Sequence, residues 1–215
     1  MDHSKEPDSP APEPQGARWG AQDLPRRQAP EAKRLAILRA AAQLFNENGF
    51  HDTSLNDLAR SLNVTKPSLY YYVQSKDDIL LQILNQAMGE IGPAIEAAQA
   101  ASHGLEMLRI FVGRYVQILV GDFGKCLVLS GTSPLEPKSR EQLAPAFRRI
   151  DQAVRQMIAK GIADGSIRPC DPKVSGFTLF GALHWMCSWY REDGLSPQEL
   201  GDQIFDVFEK GLSAA

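Results

Sequence analysis

The sequence lacks most of the features that mark secreted, membrane-spanning and zinc-binding proteins. It contains only three cysteines, Cys126, Cys170 and Cys187, and they form no C-x-x-C pair. An odd number of widely spaced cysteines argues against a disulfide framework or a zinc finger and is typical of the reduced cytosol. No apolar run is long enough to cross a bilayer, and the N-terminus has no apolar segment of the secretory type. We therefore expect a cytoplasmic protein with no membrane partner.

The motifs of common enzyme classes are absent as well. The sequence has no G-x-S-x-G, no phosphate-binding loop and no H-E-x-x-H, which are the signatures of serine hydrolases, nucleotide enzymes and zinc peptidases. His184 and Cys187 are three residues apart, but no further ligand-type side chain lies nearby in sequence. We predict a protein that is not an enzyme, with no catalytic residue, no metal and no cofactor.

The charge is unevenly distributed along a chain of ordinary composition. The 215 residues, 43% of them hydrophobic, suffice for one sizeable domain or two small ones. Residues 26–77 carry eight basic and five acidic side chains, whereas the segments on both sides are acidic overall. A local excess of cations favours a surface that meets phosphate groups.

Residues 1–30 are rich in Pro, Glu, Asp, Ser and Gly. Such a composition buries too little apolar surface to offset the entropy lost on ordering. We therefore expect residues 1–30 to be a disordered tail. Arg26 and Arg27 lie near its end, and we predict that they form an arm toward DNA; the alternative is a pair of solvated surface cations.

Residues 53–76, T-S-L-N-D-L-A-R-S-L-N-V-T-K-P-S-L-Y-Y-Y-V-Q-S-K, have the pattern of two short helices joined by a tight turn and followed by the start of a third. Thr53 or Ser54 is placed to cap the first helix, and Thr65 to cap the second. Asn63 lies between them and tolerates a left-handed backbone. The second helix exposes polar and aromatic side chains around one inward leucine, a surface suited to phosphates and base edges.

Helical periodicity continues through the rest of the chain, with no strand-like alternation of useful length. The other predicted helices cover residues 31–48, 75–101, 105–122, 139–164, 172–192 and 196–212, with one or two turns at 126–130. We predict an all-α protein. A three-helix helix-turn-helix DNA-binding domain (31–76) precedes a helical ligand-binding and dimerisation bundle (77–215).

The stretch from Leu35 to Leu80 resembles the TetR family of one-component transcriptional regulators. The resemblance rests on A-A-A-x-L-F, G-F-x-x-T-S and V-T-K-P-S-L-Y-Y-Y-V-x-S-K-D-D-I-L, which follow one another at the family's spacing. It implies a homodimer that binds a near-palindromic operator in double-stranded DNA, usually as a repressor, and a small effector that loosens DNA binding. A weaker likeness, in A-L-H-W-M-C-S-W-Y-R-E-D-G-L-S-P, is to members tied to acyl-CoA or lipid breakdown. It implies an acyl-CoA or another apolar metabolite as the effector.

The resemblance also implies which residues meet DNA. Thr53 and Lys76 match a threonine and a lysine that contact phosphates, and the residues between them match the recognition helix and its aromatic pair. Where the family often has Phe after that pair, this chain has Tyr72-Val73, which should alter packing rather than function. With Lys33 on the outer side of the first helix, the predicted DNA-binding residues are Arg26, Arg27, Lys33, Thr53, Thr65, Lys66, Ser68, Tyr70, Tyr71 and Lys76.

The second half contains F-T-L-F-G-A-L-H-W-M-C-S-W-Y (177–190), which is apolar nearly all round and must be covered on several sides. Pairing with the last helix across a two-fold axis would cover it, as the resemblance implies. The predicted dimerisation residues are Phe177, Phe180, Gly181, Trp189, Ile204, Phe205 and Phe208. The predicted ligand-binding residues, expected inside the bundle, are Phe111, Tyr115, Leu119, Phe123, Met157, His184 and Trp185. Packing within one subunit is the alternative for both sets.

Two points stay open at the level of sequence. If the effector is an acyl-CoA, we expect Arg148, Arg149 or Arg155 to meet a phosphate or carboxylate; a solvated basic face is the alternative. A helical protein-interaction module, or a small-molecule-binding protein without DNA binding, is the alternative to a regulator. The agreement of motif, cap residues, basic segment and long linking helix favours DNA binding.

Overall fold

The structure is a computed structural model that describes residues 29–191 and 193–212. Within these residues the chain forms nine helices and no strand, which confirms the all-α prediction. The helices are α1 (Ala29–Asn48), α2 (Leu55–Ser61), α3 (Lys66–Tyr70), α4 (Lys76–Gln99), α5 (Gly104–Val120), α6 (Asp122–Leu129), α7 (Pro137–Asp164), α8 (Pro172–Trp189) and α9 (Pro197–Leu212). Arg26, Arg27 and the rest of the predicted tail up to residue 28 lie outside the described residues.

Most predicted helix bounds agree with the structure to within a few residues, and the differences have local causes. The first helix begins at Ala29 rather than Glu31, so two residues of the predicted tail are helical. The predicted helix 105–122 ends at Val120 because Gly121 has an extended backbone, with φ −72° and ψ 159°. The short piece predicted at 126–130 is part of α6, which begins directly after this break.

The turns around α2 follow from the chemistry of single residues. Gly49 after α1 has φ +86° and Asn63 after α2 has φ +53°, in the left-handed region that glycine occupies freely and asparagine tolerates. Ser54, not Thr53, caps α2: its hydroxyl accepts from the Asp57 N–H at 3.2 Å, and the Asp57 carboxylate accepts from the Ser54 N–H at 2.9 Å. This reciprocal pair is a capping box. The start of α2 and the turns on either side of it are thus set by short-range interactions.

One apolar core extends through the whole described part of the chain. It includes Leu38 and Phe45 of α1, Leu58 of α2 and Leu69 of α3. The long α4 packs on α1 and also on α5, α6 and α7. Because the core is continuous, the division into residues 31–76 and 77–215 stays a prediction.

Helix α5 lies at the centre of the second half and packs against α4, α6, α7, α8 and α9. Its residues Phe111, Val112 and Leu119 are completely buried. The last two helices cover α5 from outside, α9 along most of its length. Within the described ranges, no helix is both long and apolar enough to span a membrane.

Candidate nucleic-acid interface and effector cavity

The surface of α3 presents one cation and two aromatic rings to solvent. Lys66 is exposed, Tyr71 is 82% exposed and Tyr70 49%, while Leu69 between them is buried in the core. The hydroxyls of Thr65 and Ser68 lie 2.8 Å apart in the first turn. The structure therefore brings these five predicted DNA-binding residues onto one face. Ammonium, hydroxyl and aromatic groups of this kind suit phosphate oxygens and base edges.

Thr53 does not belong to that exposed face. Its side chain is 3% exposed, and its hydroxyl donates to the carbonyls of Gly49 at 2.9 Å and Leu44 at 3.3 Å. The prediction that this hydroxyl meets a phosphate is therefore wrong, because the group is turned inward. Thr53 instead ties the turn before α2 to the end of α1.

Lys76 has an internal role that its sequence position did not reveal. Its ammonium donates to the carbonyls of Phe50 (2.7 Å), Thr53 (3.0 Å) and His51 (3.2 Å), and it lies 4.4 Å from the centre of the Phe50 ring. An ammonium has three donors, and all three are used here. Lys76 therefore holds the α1–α2 turn against the start of α4, and its phosphate contact stays a prediction.

We expect Lys76→Met to lower the free energy of unfolding by about 2–3 kcal/mol, since charge-assisted hydrogen bonds to three carbonyls are lost and their energies are not additive. Lys66→Met is the matched control, because the exposed Lys66 side chain should change stability by no more than about 0.5 kcal/mol. Urea unfolding of both variants checks this. Equal stability of the two would show that the Lys76 contacts contribute nothing.

A cavity of about 630 Å³ lies in the second half, between helices α4 to α8. Its size falls within the roughly 300–1,000 Å³ typical of small-molecule sites. The lining residues are Met88, Tyr115, Leu127, Val128, Gly131, Thr132, Phe147, Arg148, Ile150, Asp151, Phe177, Phe180, Gly181 and His184. Most of these side chains are apolar, so the cavity suits a ligand with a large apolar part.

A hydrogen bond between α5 and α8 in the cavity wall joins two predicted ligand-binding residues. Tyr115 Oη and His184 Nε2 are hydrogen-bonded at 2.8 Å. Burial raises the pKa of Tyr115 and lowers the pKa of His184, so both groups are neutral near pH 7. The Phe180 ring packs against both, with centroids 5.8 Å from Tyr115 and 5.7 Å from His184. The inner end of the cavity is therefore uncharged.

The other five predicted ligand-binding residues do not line this cavity. Phe111, Leu119, Phe123 and Met157 are buried in the surrounding core and are not part of the cavity wall. Trp185 is 70% exposed and points away from the bundle. Sequence reasoning missed most of the α6 and α7 wall. It also missed Met88, because the sequence indicates only a linking role for α4.

The outer face of α8 carries an apolar stripe with helical spacing. Phe177 and Trp189 are about half exposed, and Trp185 and Val174 more so, with the exposed Gly181 between them. Three predicted dimerisation residues, Phe177, Phe180 and Gly181, line the cavity, and Phe177 and Gly181 belong to the stripe as well. The stripe therefore borders the cavity.

The prediction that Phe205 lies in a dimer contact is wrong. Its ring is 1% exposed, packed in this chain's own core with the Arg109 guanidinium 4.8 Å from its centre. Phe180, Ile204 and Phe208 are partly buried against the same core. Helix α9 thus uses most of its apolar face to cover α5.

An exposed helix-turn-helix, joined by a long helix to a helical bundle, defines the class of regulators of transcription that bind DNA through an N-terminal domain.

Among the described residues, no group of three or more His, Cys, Asp or Glu side chains could hold a metal ion.

Comparison with known proteins gives the family. Residues 37–83 match the model described as bacterial regulatory proteins, tetR family, and residues 101–212 match the tetracyclin repressor-like C-terminal domain. The chain belongs to the TetR family of transcriptional regulators.

Several relatives and solved structures are similar over most of the chain. The fatty acid metabolism regulator protein of Bacillus subtilis (strain 168) is 23% identical over 75% of this chain and 85% of its own. The transcriptional repressor KstR2 of Mycolicibacterium smegmatis is 26% identical over 86% and 92%. The regulator PfmR from Thermus thermophilus has a TM-score of 0.75 and 29% identity, covering 83% of this chain and 99% of PfmR. AibR in complex with isovaleryl coenzyme A and operator DNA has a TM-score of 0.75 and 23% identity, covering 84% and 98%.

Proposed function

We propose that this regulator is a homodimeric repressor that binds a palindromic operator through α3 and is released when a small molecule fills the cavity. The observation that carries the proposal is a set of polar contacts between the cavity walls and the helices of the DNA-binding part. A ligand can shift an equilibrium only through contacts that differ between two states. Both α6 and α7 provide such contacts.

The first connection runs through α6, whose residues Leu127 and Val128 line the cavity. At the other end of this helix, Asp122 accepts from Gln43 Nε2 of α1 at 3.1 Å through its carboxylate and from Asn46 Nδ2 at 3.0 Å through its carbonyl. A shift of α6 caused by a ligand therefore acts on α1, which supports α2 and α3.

The second connection runs through α7, whose residues Phe147 and Ile150 line the cavity. The Asp77 carboxylate, in the first turn of α4, accepts from the Glu136 N–H at 2.7 Å and from Ser139 Oγ at 2.6 Å. The start of α7 is thereby fastened to the helix that follows the helix-turn-helix. Movement of α7 changes the orientation of the DNA-binding part relative to the bundle.

For the effector we propose an acyl-CoA or another largely apolar metabolite. The apolar wall and the volume of the cavity support this proposal. The names of two similar proteins refer to the same class of metabolites. One is a fatty acid metabolism regulator, and the other is AibR in complex with isovaleryl coenzyme A.

A mobility-shift assay with genomic DNA fragments tests the proposal, followed by footprinting of the retained fragments. We expect a protected site with two-fold symmetry, a complex that weakens steeply as salt rises, and release on addition of an acyl-CoA series. The absence of any salt-dependent specific complex would refute the regulator and favour a helical binding module. A specific complex that no effector releases would refute only the ligand-dependent step.

We propose that the apolar stripe on α8 forms the dimer contact. Trp185→Glu should convert the dimer to a monomer at micromolar concentration, because an unpaired carboxylate would be buried in the contact. Leu129→Glu is the control, since Leu129 is an exposed apolar residue on another helix. Sedimentation equilibrium of both variants measures the effect. A Trp185→Glu dimer as tight as the control would place the contact elsewhere.

A further inference from the structure

Three arginines of α7 differ in what they contact. Arg149 pairs with Glu96 at 3.5 Å, and Arg155 pairs with Asp151 at 2.7 Å while lying 5.4 Å from the centre of the Phe177 ring. For Arg148, no carboxylate among the described residues lies within ion-pair distance. The charges of Arg149 and Arg155 are thus balanced within the chain, whereas that of Arg148 is not.

Arg148 is also the only one of these three that lines the cavity. Its side chain is exposed, while Tyr115 at the inner end of the cavity is buried, so Arg148 lies at the mouth. Asp151 is in the same wall, but its carboxylate is held by Arg155 and does not neutralise Arg148. The cavity therefore has a positively charged mouth and an uncharged inner end.

Between these two ends the wall is apolar. It is formed by Met88, Leu127, Val128, Ile150, Phe177 and Phe180. At the inner end, Tyr115 and His184 are hydrogen-bonded to each other. A chain of methylene groups gains free energy against this wall, and the inner end attracts no second charge.

We propose that the effector is an amphipathic anion, whose acyl chain lies along the apolar wall toward Tyr115 and whose acidic group pairs with Arg148 at the mouth. This rests on the proposed function only in taking the cavity as the effector site. A guanidinium binds a carboxylate and a phosphate through the same two-pronged contact. The acidic group can therefore be the carboxylate of a free fatty acid or a phosphate of an acyl-CoA.

Isothermal titration calorimetry on the full chain without DNA tests the proposal, with decanoate, 1-decanol and decanoyl-CoA as probes. We expect decanoate to bind about fivefold more tightly than 1-decanol, the factor of an ion pair near the surface. Arg148→Gln should remove this preference and leave 1-decanol binding unchanged. Arg149→Gln is the control, because it removes a neighbouring exposed arginine that does not line the cavity. This variant should keep the preference for decanoate over 1-decanol. The preference should also shrink as salt rises.

The probes distinguish the two sources of the anion. If Arg148→Gln weakens the binding of decanoate, Arg148 pairs with a carboxylate. If it weakens only the binding of decanoyl-CoA, Arg148 pairs with the phosphates of coenzyme A. The proposal would be overturned if decanoate and 1-decanol bound equally well and Arg148→Gln left the binding of decanoyl-CoA unchanged. It would also be overturned if none of the three probes bound. Because DNA is absent, a ligand that binds in this way without releasing the operator would refute the proposed switch and leave this inference standing.

Discussion

The double variant Lys66→Ala, Tyr71→Ala should bind the operator at least about thirtyfold more weakly than the parent chain. Each side chain is exposed on α3, and each contact to a base edge or phosphate is worth about 1–3 kcal/mol. The fold should be unaffected, because neither side chain is part of the core. Fluorescence anisotropy with a labelled operator, together with circular dichroism on heating, measures both properties.

The matched control is the double variant Lys160→Ala, Leu129→Ala, which also removes one exposed lysine and one exposed apolar side chain, but far from α3 in sequence. Its operator affinity should stay within about twofold of the parent. The single variants add detail: loss of a phosphate contact weakens all DNA sequences alike and lowers the salt slope by about one, whereas loss of a base contact relaxes specificity. Unchanged affinity of the Lys66, Tyr71 variant would remove α3 from the interface.

Gly104→Ala should strongly destabilise the bundle. Gly104 is the first residue of α5, and a methyl group there would overlap the backbone of Gly161 and Met157 in α7. Backbone atoms cannot rotate away, so the helices must separate. Overpacking of this kind costs about 3 kcal/mol, and the melting temperature should fall by about 6–12 °C for a chain of this length.

Gly113→Ala in the middle of the same helix is the control. Nothing lies within 4 Å of a methyl group at that position, so alanine should stabilise the chain by about 0.5–1 kcal/mol through its helix propensity. Thermal unfolding should therefore move in opposite directions for the two variants. A common direction would mean that α5 and α7 do not approach as closely as the structure shows.

The helix-turn-helix could be predicted in detail because its determinants are local. Asn63 adopts the left-handed backbone expected of it, and Ser54 lies three residues from its capping partner. The role of Lys76 could not be predicted in the same way. Its acceptors, such as the carbonyl of Phe50, lie up to 26 residues away in the sequence, and only the packing of α1 against α4 brings them together.

The predicted ligand-binding residues show the same limit. Helical period identified Phe111, Tyr115 and Leu119 of α5 as apolar and inward, and all three are buried. Of the three, only Tyr115 lines the cavity, and the other two face other parts of the core. Hydrophobic periodicity predicts that a side chain faces the inside of the bundle. It does not predict whether that side chain packs against another one or lines a cavity.

By itself, the sequence determined the all-α class, the two short helices and their turn, and the family, because caps, turn residues and helical period act over a few residues. Only the tertiary structure decided which apolar side chains of α8 and α9 face the core, the cavity or solvent. Phe205 is buried and Trp185 is exposed, although both lie in apolar helical stretches. Helix α8 is apolar nearly all round, so its sequence has no hydrophobic periodicity that would identify the buried face. Which of its side chains are buried depends on the helices that pack against it.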